Sequence, residues 1–320
     1  MEVARLLDFV LGHQEVIKKM VDSFEAGKPG QTFLFVGPSG IGKKQTAIGL
    51  AQALMCPQSP RGCGRCPSCF RVAQAGHSHE GLRIIAPSGA NIKIEQAKEI
   101  LEFLSLKSLG GNRVIIIDQA QLLNQQAANS LLKTLEEPPD GTFFFLIAPS
   151  VAGIMPTIRS RSRIVQFKPL TMEDLGKRVK APTWALKSAG GSFEKLAQLQ
   201  DGPELELREK SVEILKVFMK DKDFLLNEMW RAEFKDRQQG QRLLSYWVGY
   251  FRDAIVYQEG AKSQIANLDQ AELIKTLAEQ TREKLLVLIQ KALQSEQALG
   301  ANRDSQLVME EYFITSQDIV

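Results

Sequence analysis

The first half of the chain alternates between short apolar runs and stretches with helical periodicity. Thr32-Phe33-Leu34-Phe35-Val36 is apolar at almost every position and runs straight into a glycine-rich segment. Leu82-Arg83-Ile84-Ile85, Val114-Ile115-Ile116-Ile117 and the run Phe143 to Ala148 have the same length and the same β-branched and aromatic bias. Between them, helical patterns are predicted over about 44–55, 94–104 and 124–135. Runs with no polar position fit strands buried on both faces, as in a parallel sheet covered by helices. The prediction is an α/β domain with a mostly parallel sheet.

After Pro169 the strand-like runs disappear. From about Glu206 onward the pattern is that of amphipathic helices. Leu243, Leu244, Trp247, Val248, Phe251 and Ile255 recur at three- and four-residue spacing, and Lys284 to Leu299 repeats the pattern. Gly190-Gly191 marks a turn between the two regimes. Three domains are therefore expected: an α/β domain over 1–167, a small helical lid over 168–205, and an all-helical domain over 206–320.

The glycine-rich segment carries the most chemistry. Gly37-Pro38-Ser39-Gly40-Ile41-Gly42-Lys43-Lys44 matches the phosphate-binding pattern G-x-x-x-x-G-K-[ST] everywhere except its last position. Strand before and helix after is the context that motif requires. Gly37, Gly40, Ile41 and Gly42 would supply the backbone cradle for ATP or ADP, with Lys43 reaching the phosphates. The last position normally offers a hydroxyl to Mg²⁺, and Lys44 cannot ligate a cation. A second ATPase element, an apolar strand ending in Asp-Glu, here reads Ile117-Asp118-Gln119. Asp118 could orient a metal, but Gln119 cannot take a proton from water near neutral pH. Both departures point to slow or absent hydrolysis.

All four cysteines, Cys56, Cys63, Cys66 and Cys69, fall in one window spaced C-x6-C-x2-C-x2-C. That spacing fits a closed tetrahedral Zn²⁺ site of structural type. Two disulfides or four free thiols are the alternatives, and the first is disfavoured in a reducing compartment. His13, His77 and His79 are expected to be non-ligands, because the cysteines complete the set. The segment Thr157 to Arg163 is basic, and spacing alone divides evenly between a solvated face and an arginine that reaches a neighbour's phosphate.

Bulk composition changes this picture little. The net charge of +3 over 320 residues is too mild to argue for nucleic acid unaided. No apolar run approaches the roughly 18 residues that cross a bilayer. The N-terminus, with its early acids, lacks a secretory pattern, so a cytoplasmic location and no membrane partner are expected.

Asn129-Ser130-Leu131-Leu132-Lys133-Thr134-Leu135-Glu136-Glu137-Pro138-Pro139 resembles a signature of bacterial DNA polymerase III clamp-loader AAA+ subunits. Pro156-Thr157-Ile158-Arg159-Ser160-Arg161-Ser162 is similar to their Ser-Arg-Cys motif, with Ser162 in place of the cysteine. The cysteine insert resembles their zinc module, Leu11-Gly12-His13-Gln14 their opening turn, and Arg252-Asp253 and Ala301-Asn302 sit where the family has them. The resemblance spans essentially the whole chain. Lys44, Gln119 and Glu194, the last near the place of a sensor arginine, resemble the stationary delta-prime branch rather than the gamma or tau motor.

The resemblance implies that Arg161 acts in trans as an arginine finger and that the helical domain joins a collar with gamma/tau and delta subunits. It further implies that the assembly places a sliding clamp on primed DNA, and it offers Arg159 and Arg163 as DNA contacts against a solvated face. Two rivals are carried: an active gamma/tau-like ATPase, and a stand-alone zinc DNA-binding protein with steeply salt-dependent affinity.

Overall fold

The computed structural model describes residues 4–26, 31–106, 111–221, 224–226, 229–317 and 319. The chain divides into two compact units. Residues 1–178 with 190–194 form the first, and 179–189 with 195–320 form the second. The segment 168–205 is thus shared between them.

The first unit is built on five parallel strands: β1 (Gln31–Val36), β2 (Leu82–Ile85), β3 (Arg113–Ile117), β4 (Thr142–Ala148) and β5 (Arg163–Gln166), in the order β2-β3-β4-β1-β5. The four apolar runs are β1 to β4: β1, β3 and β4 are almost wholly buried in the centre of the sheet, whereas β2 lies at one edge with Arg83 exposed. The fifth strand lies in the basic cluster, where no strand was expected. It pairs only with β1, and Arg163, Ile164 and Gln166 are exposed, so it never acquired an apolar pattern.

Register aligns the carboxyl ends. Val36 lies beside Ala148 on one side and Gln166 on the other, and Ile117 lies beside Leu146. The loops leaving β1 and β3 therefore open at one edge, where parallel α/β sheets bind ligands. The helices fall where the periodicity put them: Lys43–Met55, Ile94–Ser105 and Gln125–Glu136. Asn124 starts the last of these by accepting a hydrogen bond from the Ala127 N–H at 2.8 Å. Ala127, Leu131 and Leu135 turn its apolar face into the sheet.

The second unit is helical, with long elements at Gly202–Lys220, Arg237–Gln258, Arg282–Gly300 and Ser305–Gln317. Leu243, Leu244, Trp247 and Phe251 are buried as their spacing required, with Val248 and Ile255 at the margin. Trp247 donates its indole N–H to the Ser211 carbonyl at 2.8 Å, which satisfies the one polar group that ring carries. Among the described residues, no helix is long and apolar enough to cross a membrane.

Candidate nucleotide loop, cysteine cluster and arginine site

The glycine-rich loop leaves β1 and ends on Gly42, whose φ of +95° opens the helix Lys43–Met55. Neighbours on three sides hold it tightly. Phe167, just past β5, donates its N–H to the Val36 carbonyl at 2.7 Å, and a side chain on Gly37 would strike the Phe167 carbonyl. His13 Nε2 lies 2.8 Å from the Ile41 carbonyl, and the buried imidazole packs edge-on against Phe167 at 4.8 Å. Burial lowers the His13 pKa, so the neutral ring donates from Nε2. His13 lies outside the cysteine cluster, and it has a structural task that its sequence position did not disclose.

Residues 190–194 cover the third side. Phe193 donates its N–H to the Gly40 carbonyl at 2.8 Å, and a Cβ on Gly40 would collide with Ser192 Oγ and stand 2.6 Å from Glu194 Cβ.

Within this frame the two lysines are both engaged. Lys43 is buried, and its Nζ donates to the Gly37 and Pro38 carbonyls, each at 2.5 Å. Burial lowers its pKa, and the carboxylates of Asp118 and Glu194 oppose that effect. The lysine thus reaches into its own loop. Lys44, at the position of the absent hydroxyl, places Nζ 3.0 Å from Asp118 Oδ2. The carboxylate that would orient a metal is paired with an ammonium from the other metal-binding position. Gln119 is exposed, in a left-handed conformation at φ +54°. The structure brings Gly37, Gly40, Ile41, Gly42, Lys43, Lys44 and Asp118 to one sheet edge, but Lys43, Lys44 and Asp118 bond one another or the loop.

The four cysteines lie in a knuckle between the helices Lys43–Met55 and Pro67–Ala73. Their sulfurs are all within 4.8 Å of one another, and two pairs, Cys56 with Cys66 and Cys63 with Cys69, are 4.0 Å apart. A tetrahedron with Zn–S bonds near 2.3 Å has edges of about 3.8 Å. A disulfide needs about 2.05 Å. Backbone N–H groups point at the sulfurs: Cys63 N–H at Cys56 and Cys66 N–H at Cys63, both 3.3 Å, and Cys69 N–H at Cys66, 3.4 Å. Donors aimed at sulfur favour thiolates. The Cys63 thiol is pushed down to about 6, chiefly by the backbone N–H of Arg65, whereas burial pushes Cys69 up. Gln52, fully buried, ties the knuckle down by donating to the Cys69 carbonyl at 3.1 Å while accepting from the Leu6 N–H at 2.9 Å. His77 and His79 lie outside the cluster.

Arg161 stands in the turn between the short helix Pro156–Arg159 and β5. Its Nε donates to Glu136 Oε2 at 2.7 Å, and Nη1 donates to the Thr157 carbonyl at 3.1 Å and Ser160 Oγ at 3.3 Å. Arg163 instead bonds Gln31 Oε1 at 2.8 Å and lies over the Phe33 ring, and Arg159 is exposed. Only Arg161 is tied to the Leu-Glu-Glu-Pro-Pro segment, a pairing with no local sequence signal.

In the helical unit, the fully buried Asp253 accepts hydrogen bonds from the N–H groups of Ala266 and Asn267 and from Asn267 Nδ2, while Arg252 caps its other oxygen at 2.6 Å. Arg252-Asp253 therefore fastens the connection after the helix Arg237–Gln258.

Comparison with known proteins agrees with this architecture. Residues 12–171 match the family model described as "DNA polymerase III, delta subunit", and residues 204–316 match that of its C-terminal region. DNA polymerase III subunit delta' of Escherichia coli strain K12 is 31% identical over 275 residues, which cover 82% of this chain and 80% of the relative. The subunit of the same name from Bacillus subtilis strain 168 is 27% identical over 316 residues, 95% of each chain. Among solved structures, a DNA polymerase III gamma subunit-related protein from Thermotoga maritima superposes with a TM-score of 0.53 at 18% identity, over 95% of this chain and 98% of the other. That likeness concerns the fold alone.

Proposed function

The chain belongs to the DNA polymerase III delta-prime family, and from that premise we propose that it is a non-hydrolysing clamp-loader subunit that serves neighbouring motor subunits. The observation that carries this reading is the ion pair of Lys44 with Asp118 at 3.0 Å. An Mg²⁺ bound to a nucleotide would need the Asp118 carboxylate and a hydroxyl at position 44. Here an ammonium stands at that position and already neutralises Asp118. Lys43 bonds its own loop, and Glu194, facing Lys43, would repel a γ-phosphate. With Gln119 in place of a base, the position after Asp118 offers no carboxylate to activate water. The gamma/tau-like ATPase reading requires all of these to be overcome.

The partners in this proposal are gamma/tau and delta subunits, with the sliding clamp and primed DNA engaged through the complex in the bacterial cytoplasm. Arg161 is its catalytic contribution, given in trans: a guanidinium beside a neighbour's γ-phosphate stabilises the charge that develops there. The helical unit 206–320 would provide the collar, with 168–205 as the lid. Cys56, Cys63, Cys66 and Cys69 would hold one Zn²⁺, whose four thiolates leave no open position and so give it a structural role.

The test is ATP hydrolysis by the chain alone and by the complex reconstituted with cognate gamma/tau, delta, clamp and primed DNA. Background turnover alone, with DNA-stimulated turnover in the complex that falls roughly tenfold or more in Arg161→Ala, is expected. Magnesium-dependent turnover by the isolated chain would sink the proposal. DNA affinity of the isolated chain that falls steeply with salt would favour the stand-alone zinc protein instead.

A further inference from the structure

We propose that Glu136 is the positioning residue for Arg161, so that the first glutamate of the Leu-Glu-Glu-Pro-Pro run exists to aim the arginine. This rests on the reading of Arg161 as a finger acting in trans.

The geometry holds two of the three guanidinium nitrogens and leaves the third without a partner among the described residues. Glu136 Oε2 takes Nε at 2.7 Å, and the Thr157 carbonyl and Ser160 Oγ take Nη1. Nη2 makes no hydrogen bond among the described residues, and the side chain keeps 30% of its surface in solvent. A planar fork fixed at two nitrogens has lost most of its rotational freedom, while Nη2 keeps its N–H groups without such a partner. A planar donor of that kind suits a phosphoryl group, and its orientation is set before any ligand arrives.

The carboxylate itself stands on a rigid support. Glu136 is the last residue of the helix Gln125–Glu136, one position after the fully packed Leu135. The buried Thr32 hydroxyl on β1 donates to the Leu135 carbonyl at 2.9 Å and pins that final turn to the sheet. Pro138 and Pro139 then prevent the helix from continuing. The final turn is therefore fixed by the same strand that leads into the glycine loop. Because the Glu136 carboxylate is more than half exposed, and Arg161 keeps solvent contact and its bonds to Thr157 and Ser160, removal of Glu136 should not unfold the chain.

The experiment uses the reconstituted complex with four forms of this subunit: wild type, Glu136→Ala, Glu136→Gln and Arg161→Ala. Assembly is checked by gel filtration, and steady-state ATP hydrolysis with primed DNA is resolved into kcat and KM. Glu136→Ala should assemble normally and lower kcat by about threefold to tenfold with KM for ATP unchanged, since a loosened finger weakens transition-state contacts rather than ground-state binding. Glu136→Gln keeps an oxygen that accepts from Nε and should recover to within about twofold of wild type. If Glu136→Ala matches or exceeds wild-type kcat while Arg161→Ala falls, Glu136 does not position the arginine and the finger reading survives. If Arg161→Ala is itself unchanged, there is no finger to position and both ideas fall together.

Discussion

Lys44 Nζ sits 3.0 Å from Asp118 Oδ2, so two positions that would jointly hold a metal ion instead neutralise each other. The pair is partly solvated, with Lys44 half exposed, and contributes at most about 1 kcal/mol to stability. Its consequence is chemical. Magnesium must displace an ammonium before it can reach Asp118. Nucleotide binding by the wild-type chain should therefore be no stronger with Mg²⁺ than with EDTA, measured with a fluorescent ATP analogue. Lys44→Thr restores the hydroxyl and frees Asp118, and should introduce Mg²⁺ dependence without turnover, because Gln119 remains. Equal Mg²⁺ dependence in both forms would show that the pair does not block the metal.

The cysteine knuckle predicts one tightly held Zn²⁺ per chain by elemental analysis of the purified protein. The four ligands are unequal in burial, with Cys69 fully buried and Cys56 and Cys63 partly exposed. Cys69→Ser should abolish retention and expose the remaining thiols to alkylation. Chelation should lower the unfolding midpoint, since metal binding to a folded site is folding free energy, on the order of several kcal/mol here. Because the knuckle packs on Gln52 rather than inside the sheet, β1 to β4 should survive removal of the metal. A chain purified under metal-replete, reducing conditions that holds no zinc would refute the site.

The strands β1, β3 and β4 were legible because a central parallel strand needs apolar residues on both faces, and runs such as Val114 to Ile117 have no other use; the edge strand β2 showed through Leu82, Ile84 and Ile85. The fifth strand, at the other edge, was hidden because it leaves Arg163, Ile164 and Gln166 outside and so carries no apolar run. The same division runs through the sites. Local spacing disclosed the glycine loop and the four cysteines, whose sulfurs the fold gathers as expected. Loss of a metal ligand at Lys44 was also visible, but its new partner across the sheet edge was not. His13 meets Ile41 across 28 positions and Arg161 meets Glu136 across 25, and neither pairing leaves a periodic trace in the chain. The basic run Thr157 to Arg163 and the resemblance of the surrounding motifs marked Arg161, but nothing in the chain marked Glu136 as its partner.

The buried Asp253 gives a prediction for the helical unit. Asp253→Ala would strand two backbone N–H groups and the Asn267 amide, and leave Arg252 unpaired. The cost should be about 3–5 kcal/mol, read as a lowered denaturation midpoint with an unchanged m-value. Arg252→Ala removes only the exposed partner and should cost about 1 kcal/mol or less. Equal effects from the two substitutions would mean that Asp253 works through the ion pair rather than through the backbone it organises.

The loop held by His13 predicts a pH dependence with a definite sign. Burial lowers the pKa of His13, and of His79, below the ordinary value of 6.5. In the unfolded chain both titrate near about 6.5, so between their folded pKa values and that point the unfolded state binds more protons. Stability then rises with pH through this window. The contribution is fully present above about 6.5 and is lost as pH falls toward the folded values. His13→Gln keeps an N–H that can reach the Ile41 carbonyl but has no titrating ring. It should leave a measurable slope from His79 and remove the rest, seen as a shallower fall of the urea midpoint as pH drops below about 6.5. The Lys43 charge adds to burial in keeping His13 neutral, while the Ile41 carbonyl and the Asp174 carboxylate oppose it. An unaltered slope in His13→Gln would mean that the imidazole is not held neutral against the loop.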